Sequence, residues 1–224
     1  MKKILSVVLC IVLFLSSLGM STYASTGDRS SRVVSSDGRI VVFTIKNTVK
    51  NNISSADLKD IADSNPGATE FTIYGKEYAR STAQVNAKEQ TTLVPAGQTI
   101  IGPVVKGYTE TNVLESDRFM ASCARGEIKT ITEEISTRLS PSYTGTAIGG
   151  VSLNATISYT ISVGTTLKGP DEGSSYNCRE FRCKFYENRG NWVQFNTIEG
   201  IPITLSGTFK EPAYYLSYSV DRNI

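Results

Sequence analysis

The side chains that could do chemistry in this chain of 224 residues do not include histidine. Nucleophile activation by Ser-His-Asp or Cys-His and metal sites built on imidazole are therefore excluded. Paired carboxylates can hydrolyse a glycosidic bond without histidine, and Glu133, Glu134, Glu180 and Glu187 are available. Adjacent Glu133 and Glu134 would point to opposite faces of a strand, and no spacing pairs the others. The sequence predicts no catalytic residue, no metal site and no cofactor, and it favours a protein that is not an enzyme.

Three cysteines, Cys123, Cys178 and Cys183, are candidates for a disulfide. If 176–186 is one strand, Cys178 and Cys183 point to opposite faces about 16 Å apart, which is beyond disulfide reach. Cys123 would then pair with one of them. If 179–182 is instead a hairpin loop, Cys178 and Cys183 could pair directly. The alternation of apolar residues in this stretch favours the strand.

Aromatic residues are concentrated near the C-terminus. Tyr214, Tyr215 and Tyr218, together with Trp192, could form an exposed binding surface, because rings with a polar tip suit stacking on sugars and contacts with proteins. The alternative is that these rings complete the core of a sheet. The partner is unknown, and a protein or glycan at a cell surface is the class that such a surface would suit.

Residues 1–24 have the pattern of a secretory signal peptide, with Lys2 and Lys3 before an apolar run and small residues ahead of a cleavage site after Ala24. The sequence therefore predicts a secreted, extracellular protein. Cleavage leaves 21 basic and 21 acidic side chains, so no excess of positive charge is available to bind nucleic acid. Residues 25–36 are predicted to be a flexible leader, and 37–224 a single β-rich domain.

The rest of the chain predicts an all-β fold, an antiparallel sandwich or a barrel-like sheet, with one short helix near 54–64. The segment 127–139 fits a helix or a strand, and its β-branched residues favour the strand. Strands are predicted over 39–49, 69–78, 127–139, 151–163, 176–186, 192–195, 201–209 and 214–220, with two short strands within 91–105.

No charged residue lies in 139–167, and this region contains the clearest alternation in the chain. One face of the predicted strand 151–163 is apolar and the other is Ser, Asn or Thr, as a strand that faces lipid on one side requires. The membrane-facing candidates are Val151, Leu153, Ile157, Tyr159, Ile161 and Val163. This Ser/Thr-rich alternation resembles the stem hairpins of secreted β-pore-forming toxins such as the aerolysin-like proteins, over about 29 residues and in style rather than in a motif. The alternative is an amphipathic strand of a sandwich.

These patterns predict a secreted, non-catalytic β-rich protein with a binding or structural role at or outside the cell surface. The alternative function is a membrane-inserting, β-pore-forming protein that uses the uncharged region 139–167. Contact with a membrane is expected only under that alternative.

Overall fold

The computed structural model describes residues 27–81 and 97–224. In chain order the elements are β1 (Arg29–Val34), β2 (Ile40–Ile45), α1 (Ser55–Asp63), β3 (Glu70–Tyr78), β4 (Ile100–Ala124), β5 (Ile128–Thr130), β6 (Ile135–Leu139), β7 (Ser142–Tyr143), β8 (Ile157–Ile161), β9 (Thr166–Lys168), β10 (Cys178–Ile198) and β11 (Ile201–Arg222). The predicted all-β class with one short helix near 54–64 is confirmed for these residues. The predicted signal peptide 1–24 lies outside them.

One large sheet runs through the molecule in the strand order β1-β2-β3-β11-β10-β4, with β7 added to the edge of β11. Its centre is built from three very long strands, because β4 has 25 residues, β10 has 21 and β11 has 22. Pairing is antiparallel except between β2 and β3, which are parallel because the chain crosses over through α1 between them. The sheet is therefore mixed.

Helix α1 covers one face of this sheet. Its start is fixed by a capping box in which the Ser54 hydroxyl accepts from the Asp57 N–H and the Asp57 carboxylate accepts from the Ser54 N–H. Leu58 and Ile61 lie on one side of the helix and are buried against β2, β3 and β11. Alternate side chains of β11 from 214 to 220 belong to the same cluster, so sheet and helix share one core.

The opposite face of the sheet is covered by the excursion 125–177, which leaves β4 and returns as β10. Phe181, Cys183 and Phe185 of β10 and Tyr215 of β11 point to this side and form a second apolar cluster with it. Because both faces are covered, nearly every residue of β11 from Phe209 to Asp221 is buried. The centre of β10 and β11 is thus the middle layer of three.

Three predictions about local structure are wrong. The flexible leader 25–36 contains β1, which pairs with β2 along its whole length; its polar residues sit at a sheet edge, where the backbone ladder needs no buried face. Residues 100–105 begin β4 rather than end a short strand, because Pro103 is tolerated on an edge strand. Of the strand expected over 151–163, only Ile157–Ile161 forms.

Candidate functional site

The most unusual feature of the fold is the segment 128–168, which we call the docked hairpin. Its two limbs pair at one constant register, from Ile128 opposite Lys168 in β5 and β9 to Leu139 opposite Ile157 in β6 and β8. Between these pairs, backbone hydrogen bonds link Ile131 with Thr165 and Gly164. The two small ladders are therefore parts of a single hairpin, which is interrupted by an irregular stretch around Glu133.

The docked hairpin is amphipathic, and its apolar face lies on the long sheet. Its buried side chains are Ile131, Leu139, Ile157, Ile161 and Leu167, and they join the cluster that includes Phe181 and Phe185 of β10. The other face is polar and open to solvent: Ser136, Arg138, Ser158 and Thr160 are exposed. The alternation predicted for this region is real, and its apolar side is used here to cover the sheet.

The end of the hairpin, residues 140–156, which we call the apex, has no internal ladder. Apart from β7, which pairs with Phe209 and Lys210 of β11, it contains no regular secondary structure. Side chains of the long strands take the place of that ladder. The Trp192 indole donates to the Thr144 carbonyl oxygen at 2.9 Å, and Gln194 both accepts from the Ile148 N–H and donates to the Ile148 carbonyl oxygen, each at 2.9 Å.

Two glycines let the apex lie directly on the sheet. A Cβ on Gly207 would be 2.0 Å from the Thr144 carbonyl oxygen, and one on Gly145 would be 2.8 Å from the Trp192 ring. Gly145 also has a φ of 83°, which other residues adopt at a cost. Backbone and indole therefore meet at distances that any side chain at these positions would prevent.

A buried charge holds the returning limb of the apex. The Glu211 carboxylate is 1% exposed and accepts from the Lys106 ammonium at 2.8 Å, the Tyr108 hydroxyl at 2.5 Å and the Asn154 N–H at 3.2 Å. The Asn154 amide also donates to the Pro212 carbonyl oxygen at 3.2 Å. Burial and the bond to Glu211 raise the pKa of Tyr108 to about 12. The apex is thus fastened to β4 and β11 by a charged cluster whose central carboxylate, Glu211, is buried.

The sequence carries a longer signal than the one used to predict the strand 151–163. From Ile135 to Ile161 every odd-numbered residue is apolar, Gly, Pro or Thr. Every even-numbered residue is Ser, Thr, Asn or Arg, except Ile148 and Gly150 at the apex. Pro141, Gly145 and Gly149 are weak strand formers, so strand propensity does not indicate a strand here. A comparison of odd-numbered with even-numbered residues along 135–161 would have found the pattern.

The aromatic surface predicted at the C-terminal strands is wrong, because Tyr214, Tyr215, Tyr218 and Trp192 are all buried, at 6, 6, 1 and 0% exposed. Tyr214 and Tyr218 lie under α1, Tyr215 lies under the docked hairpin, and Trp192 lies under the apex. Both faces of β10 and β11 are covered, which the sequence of these strands alone could not reveal. Of the membrane-facing candidates, Ile157, Tyr159 and Ile161 face the sheet, Val151 and Leu153 are partly buried, and Val163 is exposed.

The predicted disulfide is also wrong: Cys123, Cys178 and Cys183 are buried free thiols. The strand register gives the reason. Cys123 lies opposite Arg179, so it faces the opposite side of the sheet from Cys178. Cys183 lies on the same face of the sheet as Cys123. It is four residues further along β10 than Arg179, the residue opposite Cys123, so the two cysteines are about 13 Å apart, which is outside disulfide reach. Burial raises the pKa of the Cys183 thiol above its usual range.

The acidic residues considered for catalysis are dispersed. Glu180 pairs with Arg182 at 3.0 Å, and Glu187 pairs with Arg189 at 2.6 Å. Glu133 and Glu134 are exposed on the docked hairpin. Within 27–81 and 97–224, no group of His, Cys, Asp or Glu side chains has a metal-binding arrangement.

Comparison with known proteins gave no family model, no curated protein and no solved structure that matches this chain. In the part of the chain that the structure describes, no helix has the length and apolar character needed to cross a membrane.

Proposed function

We propose that the protein is a membrane-inserting pore former, and that the docked hairpin is the segment that enters the bilayer. This proposal is supported by the combination of one constant register in the two paired stretches with an alternation from 135 to 161 that is broken only at Ile148 and Gly150. If residues 135–161 paired throughout in this register, the hairpin would present one apolar face and one polar face over that length. The strands of a β-lined pore need such faces, because one side contacts lipid and the other contacts water.

The connectivity supports the same proposal. Ala124 at the end of β4 lies opposite Cys178 at the start of β10, and the Arg125 N–H continues the ladder to the Asn177 carbonyl oxygen at 2.9 Å. The excursion therefore begins and ends on neighbouring antiparallel strands. Swung away from the sheet, it would prolong β4 and β10 as one hairpin, with residues 171–176 as a loop at the joint.

The length of the alternating stretch suits a bilayer. Limbs 135–147 and 149–161 contain 13 residues each, or about 43 Å of strand at ~3.3 Å per residue. A tilt of about 45° projects this to roughly 30 Å, the thickness of the hydrocarbon core. Arg138 is the one charged residue in this stretch and belongs to the polar parity, so each hairpin would carry it on the water-filled side.

In the docked state the apolar face of the hairpin is buried against the sheet, whereas in a pore the same face would contact lipid. Ile157 and Ile161 cannot pack on Phe181 and Phe185 and face lipid at the same time, so docking and insertion exclude each other. Release from the sheet is then the step that insertion requires. The proposal includes secretion of the protein, directed by the segment 1–24, because the target membrane would lie outside the producing cell.

The experiment that tests the proposal is release of a trapped dye from liposomes by the purified chain 25–224, with an SDS gel of the same sample to detect a stable oligomer. Dye release together with an oligomer band is the expected result. A well-folded monomer that releases no dye from any of several lipid mixtures would overturn the proposal. The prediction of a non-catalytic binding or structural role would then be the one to pursue.

A further inference from the structure

A cleft lies on the α1 side of the sheet, away from the docked hairpin. It has a volume of about 370 Å³, within the range of roughly 300–1,000 Å³ typical of small-molecule sites. The residues that line the cleft include Asp57 and Asp60 of α1, Lys76 and Tyr78 of β3, Asn112 of β4 and Tyr214 of β11. Elements distant in sequence thus converge on one concave surface.

The cleft offers an aromatic platform. Tyr78 is 55% exposed, and its ring centre is 5.6 Å from that of Tyr214. Tyr214 is in turn stacked on Tyr186 at 4.4 Å, so the exposed ring is backed by a rigid pair. An exposed ring with a fixed orientation provides a flat apolar face at little entropic cost.

The aromatic rings already hold a cation. The Lys76 ammonium lies 4.4 Å from the centre of the Tyr214 ring and 5.3 Å from that of Tyr78, and it pairs with Asp57 at 2.8 Å. A quaternary ammonium or amine ligand would have to displace this buried ion pair. A neutral ligand is therefore favoured over a cationic one.

Acceptors for hydroxyl groups surround the platform. Lys184 and Tyr186 both bond to Oδ2 of Asp60, and Oδ1 receives no hydrogen bond from the described residues, while the side chain is 39% exposed. Asn112 has a φ of 56°, and its N–H donates to the Asn188 side chain at 3.0 Å. This strained backbone turns the strand at the cleft wall, next to register shifts at Tyr186 and Glu187. Irregular strands of this kind often re-aim side chains at functional sites.

A buried lysine beneath the cleft also holds Asp60 in place. Lys184 has no solvent exposure and is held by Asp60 and the Ser64 hydroxyl, each at 2.7 Å. Burying such charges costs free energy that apolar residues of similar size would not. In this molecule Lys184 and the Tyr186 hydroxyl both contact Oδ2 of Asp60 and so fix the position of this carboxylate at the cleft edge.

We propose that this cleft binds a neutral saccharide, whose ring lies on Tyr78 and whose hydroxyl groups donate to Asp60 and bond to the Asn112 amide. A sugar ring has an apolar face for stacking and donors for carboxylate acceptors, which matches this set of groups. The proposal does not depend on pore formation, since it uses none of the residues of the docked hairpin.

The test is isothermal titration of the chain 25–224 with the methyl glycosides of glucose, galactose, mannose, N-acetylglucosamine and N-acetylgalactosamine, and with choline as the cationic probe. At least one glycoside should bind with a dissociation constant in the millimolar range or below, and choline should not bind. Tyr78→Ala and Asn112→Gly should each weaken glycoside binding at least tenfold. Glycine at 112 keeps the backbone conformation, so this variant removes the amide alone.

Phe195→Ala is the matched control, because Phe195 is 65% exposed on β10 outside the cleft; its affinity should equal that of the unaltered protein. Absence of binding across the glycoside panel would overturn the proposal, as would binding of choline alone or an unchanged affinity in Tyr78→Ala. Dye release by Tyr78→Ala from liposomes that contain no glycolipid should be unaltered, so failure of this proposal is distinguishable from failure of the pore proposal.

Discussion

Replacing Gln194 with leucine should loosen the apex without unfolding the sheet. Gln194 is 1% exposed and makes three hydrogen bonds at 2.9 Å, two to the backbone of Ile148 and one to the carbonyl oxygen of Gly102. Two of these bonds join Gln194 to the apex, so at about 0.5–1.5 kcal/mol net for each bond the change should lower the free energy of apex docking by about 1–3 kcal/mol. Every ~1.4 kcal/mol is tenfold, so the undocked population should rise by about one to two orders of magnitude.

Hydrogen exchange followed by mass spectrometry is the assay. Peptides from 140–156 should exchange faster in Gln194→Leu by that factor, while peptides from the centre of β10 and β11 should change little. Dye release from liposomes should be faster in the same variant. Gln98→Leu is the control, since Gln98 is exposed near the same end of the sheet and should behave as the unaltered protein. Unchanged exchange at the apex, or equal acceleration in every peptide, would show that Gln194 does not specifically hold the apex on the sheet.

Three further results are expected. Ile157→Asp should abolish dye release, whereas Ser158→Asp on the exposed polar face should fold and remain active; equal effects of the two would count against insertion by alternating faces. Gly207→Ala should expose the apex to limited proteolysis, since its Cβ would lie 2.0 Å from an apex carbonyl oxygen, whereas Gly173→Ala has open space and should be cut as slowly as the unaltered chain. Burial and the neighbouring Asp117 carboxylate raise the pKa of Tyr218 in the folded protein. The stability that this raised pKa contributes is complete below pH about 10, where an unperturbed tyrosine titrates, and it is lost as the pH rises from there through the folded-state pKa. Tyr218→Phe should therefore flatten the fall in unfolding free energy above pH 10, measured by denaturant titration, and equal slopes would show that this phenol is not protected.

Local patterns in the sequence were sufficient for the fold class and the helix. Ser54 and Asp57 form the capping box within three residues of each other, and the period-two pattern at 157–161 needs no distant partner to indicate a strand. The same patterns could not reveal that a hairpin and a helix cover both faces of β11. For that reason Tyr214 and Tyr215 looked available to a ligand although both are buried.

The docking contacts join residues far apart in the chain, and this explains why the sequence did not reveal them. Gln194 and Ile148 are separated by 46 residues, and Asn154 and Glu211 by 57. A buried glutamine or glutamate in a strand has no local signature of its partner. The free thiols have the same origin, because whether Cys123 faces Cys178 depends on a strand register that spacing alone does not fix.

If the docked hairpin must leave the sheet before the protein can act on a membrane, a reversible covalent lock on the hairpin should block that action. Thr144 and Thr208 lie on the apex and on β11, and their hydroxyl oxygens are 2.8 Å apart. The double variant Thr144→Cys, Thr208→Cys should form a disulfide between them, while the three native thiols are buried. The oxidised protein should release no dye from liposomes, and reduction should restore release to the level of the unaltered chain. Equal dye release before and after reduction, with the crosslink verified by mass spectrometry, would show that the docked hairpin need not leave the sheet.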